Sequence, residues 1–179
     1  MTKKEWAAWC HDYLLNTLHE PDETDWSAAR ALVDIYDCHT CVYHIAQVYV
    51  KGIIPARQVD GKLEFGGDSI VSKDESDLYL ERLKNSEKRL PVPKQPAPKI
   101  TKIDLSQIKN LENPLIFDVQ NEQIFNSIRL NPVGVSSSFL QNIVLTCQRG
   151  YKSTLIADLL IKCGFVNVFV CINNNNAIK

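Results

Sequence analysis

Two periodicities divide the chain. Across residues 2–18, Trp6, Trp9, Cys10, Tyr13, Leu14 and Thr17 recur at helical spacing,. This predicts a first helix anchored in the core by both tryptophans and broken at His19-Glu20-Pro21-Asp22,. A second helix is expected from Thr24 or Asp25, with Trp26, Ala29, Leu32, Val33 and Tyr36 on one face. Gly52 sits where a third helix would stop, and residues 55–68 read as a turn-rich loop. Ser72 and Glu75 have the spacing of a capping box, and Leu78, Leu80 and Leu83 give the helix it opens an apolar side,. Residues 84–99 form a linker whose prolines at 91, 93, 96 and 98 favour an extended polyproline II path,. Past it residues 100–103, 143–145 and 166–172 read as short strands, with 143–145 a continuous apolar run of buried-strand type,. Ser106 is expected to start a short helix after the first of these.

Residues 142–170 carry the strongest organisation. The run Ile143-Val144-Leu145 leads to Cys147, then to a loop over residues 148–152 that contains Gly150. Ser153 is the expected N-cap of a helix with Ile156, Leu159, Leu160 and Cys163 at helical spacing, and Gly164 stops it,. A strand–helix–strand unit of this kind requires a parallel sheet, and ligands of such sheets collect beyond the carboxyl ends of the strands. Cys147 therefore sits where chemistry is expected, facing a helix start.

A free thiol titrates near pKa ~8.5, and helix N-termini and cations lower that value. Arg149 and Lys152 are the cations here, and the loop amides can form an anion-binding nest,. All four histidines lie at or before His44, so no Cys–His dyad is available in this half. Activation would come from the loop and the helix dipole. The competing reading is a core cysteine at a strand end.

The segment Cys147-Gln148-Arg149-Gly150-Tyr151-Lys152-Ser153 resembles the active-site loop of rhodanese-like sulfurtransferases, Cys-x-x-Gly-x-Arg/Lys-Ser after an apolar strand,. Gly164-Phe165-Val166-Asn167-Val168 is similar to the turn that follows in that family, and Leu115-Ile116-Phe117-Asp118-Val119 to its strand ending in Asp-Val-Arg. The resemblance covers residues 99–172 and implies sulfane-sulfur transfer through a persulfide on Cys147. By the same resemblance, Gln148, Arg149, Gly150, Tyr151, Lys152 and Ser153 form the anion-binding loop, and Asp118 supports it. The implied partners are a small-molecule or protein sulfur donor and a thiol or cyanide-type acceptor, with no cofactor and no metal. Departures are Gln120 after Asp-Val, no Gly-His-Ile signature over residues 126–135, and four asparagines at 173–176 in place of a Gly-Gly turn. They motivate the alternative, a non-catalytic rhodanese-fold binding or regulatory module with a helical docking domain. Dual-specificity phosphatases use Cys-x5-Arg, but the sixth residue after Cys147 is Ser153 and the cation is one earlier, a lysine without the bidentate fork,.

Cys38-His39-Thr40-Cys41, with His44 beyond, raises a zinc or redox reading,. Cys10 and His11 could complete a zinc set; packing and capping are the plainer account. Residues 24–90 resemble an S-layer homology module: Asp37 with His39-Thr40-Cys41, then Gly52-Ile53-Ile54, Phe65-Gly66 and Val71-Ser72-Lys73-Asp74-Glu75. A helical module that docks a protein partner is expected from it, rather than wall binding.

A net charge of -1 and a pI near 6.4 give no general attraction to nucleic acid or anionic membranes,. No apolar run is long enough to span a bilayer, and the first residues lack the apolar core of a signal peptide,. A cytoplasmic location with six free thiols is therefore expected. The expected fold is α/β: residues 1–90 as a mainly helical module, 91–99 as linker, and 100–179 as a small rhodanese-like parallel sheet flanked by helices.

Overall fold

The computed structural model describes residues 1–93 and 99–172. It divides into two units, Met1–Ala97 and Pro98–Lys179. The middle of the expected linker and the asparagine run lie outside the described residues.

In the first unit, helix α1 (Lys3–Asn16) begins at a capping box between Thr2 and Glu5,. Its buried stripe is Lys3, Ala7, Cys10, His11 and Leu14. The tryptophans do not anchor the core as expected. Trp9 is 41 % exposed, edge-on to Trp6 and stacked on Tyr13. The stripe is set by 3.6-residue geometry running through small Ala7, which leaves the indoles on its flank. Helix α2 (Val42–Val50) packs on α1 and is followed by Gly52 at φ 68°. A Cβ on Gly52 would run into the Leu90 backbone, whose N–H donates to the Gly52 carbonyl at 3.0 Å,. Ile53 and Ile54 are fully buried beyond it.

The second expected helix is reduced to a 3-10 turn, Ser27–Ala31. The chain is drawn out of helix by pairing with the hairpin β1 (Arg57–Val59) and β2 (Lys62–Glu64). Val33 N–H donates to the Leu63 carbonyl at 2.9 Å, and the Asp34 carboxylate accepts from the amides of Phe65 and Gly66 at 2.8 and 2.7 Å. Those bonds satisfy backbone groups that a continued helix would leave unpaired. Helix α3 (Lys73–Lys84) starts at the predicted Ser72–Glu75 capping box. Its buried residues are Tyr79 and Leu83, whereas Leu78 is 46 % exposed.

The second unit is α/β. Strands β3 (Thr101–Ile103), β4 (Leu115–Asp118), β5 (Ile143–Cys147) and β6 (Val168–Ile172) form a parallel sheet in the order β3-β6-β5-β4. Helix α4 (Leu105–Ile108) is capped by Asp104 rather than begun at Ser106. Helix α5 (Glu122–Leu130) follows β4, and helix α6 (Tyr151–Lys162) connects β5 to β6. Every residue of β5 is buried, as a central parallel strand requires,. Among the described residues no helix is long and apolar enough to cross a membrane.

The first unit carries a partly buried ion cluster. Arg89 donates to both Glu20 oxygens at 2.7 and 2.6 Å, and Lys51 Nζ donates to Oε1 at 2.8 Å. The Arg89 bond, more than the Lys51 one, holds the Glu20 carboxyl down at about 2 from an ordinary 4.5. A depressed carboxyl favours the folded state above its unfolded pKa, and that contribution fades as pH falls through the folded value. Urea midpoints should therefore drop as pH is lowered from about 4.5 towards 2. Glu20→Gln should flatten that slope relative to wild type and cost about 1 kcal/mol at neutral pH, given the solvent screening of a half-exposed pair.

Candidate active site

Parallel register brings the carboxyl ends of β4 and β5 side by side, with Asp118 opposite Thr146 and Cys147 one residue further, opposite Ile172 of β6. The chain then turns sharply. Gly150 takes φ 81°, and a Cβ there would stand 3.0 Å from the Ile172 side chain,. Gly150 is also the N-cap of α6, so the helix begins at Tyr151 and Ser153 lies in its first turn. Ser153 is therefore not the cap expected from its position. A glycine cap has no side chain to accept the first amides of the helix.

The Cys147 sulfur takes over that task. It accepts the Gly150 N–H at 3.2 Å and the Ser153 N–H at 3.4 Å, and the Ser153 hydroxyl stands 3.1 Å away. That hydroxyl also reaches the Gly150 carbonyl at 3.2 Å. A hydroxyl carries one proton, so it donates to one of the two and can accept from the thiol when it donates to the carbonyl,. The two amides and one hydroxyl converging on a thiol at the positive end of a helix form a local acceptor site for negative charge. The sulfur's residue is only 2 % exposed.

The other predicted loop residues divide into two sets. Gln148 and Arg149 are exposed; Gly150, Tyr151 and Ser153 are buried with the sulfur. Lys152 is half-buried, and burial lowers its pKa, while the acidic groups of Cys147, Glu122 and Asp118 pull it back up. Asp118, at the end of β4, accepts the Gln120 N–H at 3.0 Å, and Glu122 opens α5. Glu122 was not legible as a site residue, because only the folding of α5 beside α6 brings it near Lys152. Cys163 ends α6 and is half-buried; Cys171 is fully buried within β6.

In the first unit, Cys38 and Cys41 are joined as a disulfide, against the expectation of six free thiols, and Cys10, Cys147, Cys163 and Cys171 are free. The four-residue span brings the two sulfurs together across the turn that enters α2. Cys10 and His11 do not complete a zinc set with them. Cys10 is fully buried, and desolvation pushes its thiol up to about 12. His11 is bonded to Asp22 at 2.7 Å and to His44 at 3.0 Å. Among the described residues no group of three or more His, Cys, Asp or Glu side chains is arranged to hold a metal ion.

Set against protein families, curated proteins and solved structures, the chain matches none.

Gly150→Ala should lower stability by about 1–2 kcal/mol, through a disfavoured φ and the push against Ile172. It should also turn the Gly150 amide off the sulfur. A denaturant titration measures the first effect, and the alkylation rate of Cys147 measures the second.

Proposed function

We propose that the second unit is a sulfurtransferase or sulfur carrier of rhodanese type, working through a persulfide on Cys147. The observation that carries this reading is the convergence of the Gly150 and Ser153 amides and the Ser153 hydroxyl on one cysteine sulfur. Such a cradle favours an anionic sulfur without needing a histidine base. The loop from Cys147 to Ser153 also keeps the rhodanese-like spacing, with Lys152 as the cation. In this reaction the Cys147 thiolate attacks the outer sulfur of a donor such as thiosulfate, and sulfite leaves with the electron pair of the broken S–S bond. The Cys147 persulfide then gives its outer sulfur to cyanide or a thiolate, and the thiolate returns. Lys152 offsets the charge of the incoming anion, and the loop amides hold the sulfur at each stage.

A second reading, a binding module built on the same fold, draws on the near-complete burial of Cys147 and on Gln120 in place of an arginine. The two differ in turnover. Wild-type protein treated with thiosulfate should gain the mass of one sulfur atom on the Cys147 peptide, and adding cyanide should release thiocyanate and remove it. Cys147→Ser should lose both responses. Unmodified wild type across several sulfane donors would overturn the enzymatic reading and leave the binding module.

A further inference from the structure

The Cys38–Cys41 disulfide closes a loop of four residues at the entrance to α2. A loop this short removes little entropy from the unfolded chain, so the bond contributes little to the fold. Both residues are half-buried, whereas Cys10, Cys147 and Cys171 are buried. Cys38 lines a cleft of about 250 Å³, whose charged lining residues are Lys4, Arg57, Asp34, Asp37, Glu64 and Asp68. Cys41 is the N-cap of α2, at the positive end of the helix,. The exposed Thr40 hydroxyl lies 3.5 Å from the Cys38 sulfur and 4.0 Å from that of Cys41.

We propose that Cys38 and Cys41 form a dithiol–disulfide exchange site, separate from Cys147, whose substrate is a thiol presented in the cleft. The cleft gives access to one sulfur of the pair, and the helix end favours the other as leaving group. A substrate thiolate attacks the Cys38 sulfur, forming a mixed disulfide and breaking the Cys38–Cys41 bond. Cys41 departs as a thiolate at the N-terminus of α2, where the helix dipole and the Thr40 hydroxyl stabilise it. A second substrate thiolate then attacks the substrate sulfur of the mixed disulfide, releasing the Cys38 thiolate. Two protons from the substrate thiols end on Cys38 and Cys41, the substrate is oxidised by two electrons to its disulfide, and the pair is reduced. The reverse sequence reduces a substrate disulfide. The cleft admits a cysteine side chain with its neighbouring backbone, or a small peptide thiol, and its four carboxylates beside two cations suit a polar substrate that carries an ammonium group better than an apolar one,.

The test uses the full chain carrying Cys147→Ser, which removes the other candidate sulfur. Dithiothreitol should open the pair, read by the mass of maleimide-labelled Cys38 and Cys41 peptides, with the far-ultraviolet circular dichroism unchanged. Adding Cys41→Ser should let glutathione disulfide trap an adduct on Cys38. Cys38→Ser in its place should trap Cys41 more slowly, on the order of tenfold. Parallel runs with glutathione and with a cysteine-containing peptide distinguish a small-molecule thiol from a protein one; faster exchange with either supports the site. Reduction that proceeds only as the protein unfolds marks the bond as structural and overturns the proposal. So does equal trapping in the two single-cysteine variants.

Discussion

The candidate site depends on a sulfur atom standing in for a helix cap. Gly150 must be glycine to make the turn after β5, and glycine brings no acceptor to the start of α6. The orphan amides need a partner in a buried place, and the Cys147 sulfur, arriving from the end of β5, is the one that meets Gly150 and Ser153,. One set of contacts therefore closes the helix and shapes the candidate site together. This coupling lets a buried cysteine serve as a packing element and as the acceptor of a helix start at once.

The first unit solves a different problem. It is small and carries many charges, and it places several of them against backbone rather than against solvent. Lys3 is buried with its ammonium on the Pro55 carbonyl at 2.6 Å and above the Phe65 ring, and burial lowers its pKa to about 8. Asp34 holds two consecutive amides, and Glu20 ties Arg89 and Lys51 together. Each is a long-range contact that fixes a loop which has too few apolar residues to fix itself. The Asp22–His11–His44 chain, with the Tyr43 hydroxyl donating to Asp22, belongs to the same scheme.

The parallel sheet was legible because β5 is written as an apolar run followed by a loop and a helix that leads to a further strand, and the end of β5 could be read as the place of Cys147. The capping box at Ser72 and the stop at Gly52 were equally plain, since each depends on neighbours close in sequence. What failed depended on distant partners. Residues 27–36 have helical spacing, but the hairpin takes their backbone groups, and no local signal announces the Leu63 and Asp34 contacts. Ser153 was read as a cap from its residue type; the cap was glycine because the path around Ile172 demanded it. Trp6 and Trp9 match the helical period, yet small Ala7 sets the buried stripe. The disulfide was legible as a spacing but not as a bond, because the reading of compartment argued the other way.

The position of Ile172 carries a structural consequence. It pairs with Cys147 in the sheet, and its side chain is the surface against which the Gly150 turn is pressed. The final residue of β6 is thus a back-stop for a loop formed far earlier in the chain. Nascent chain that has emerged through α6 but not through that strand holds Cys147 beside a turn with no support behind it. The surroundings of the sulfur are then completed by the docking of β6 rather than by the arrival of the cysteine itself.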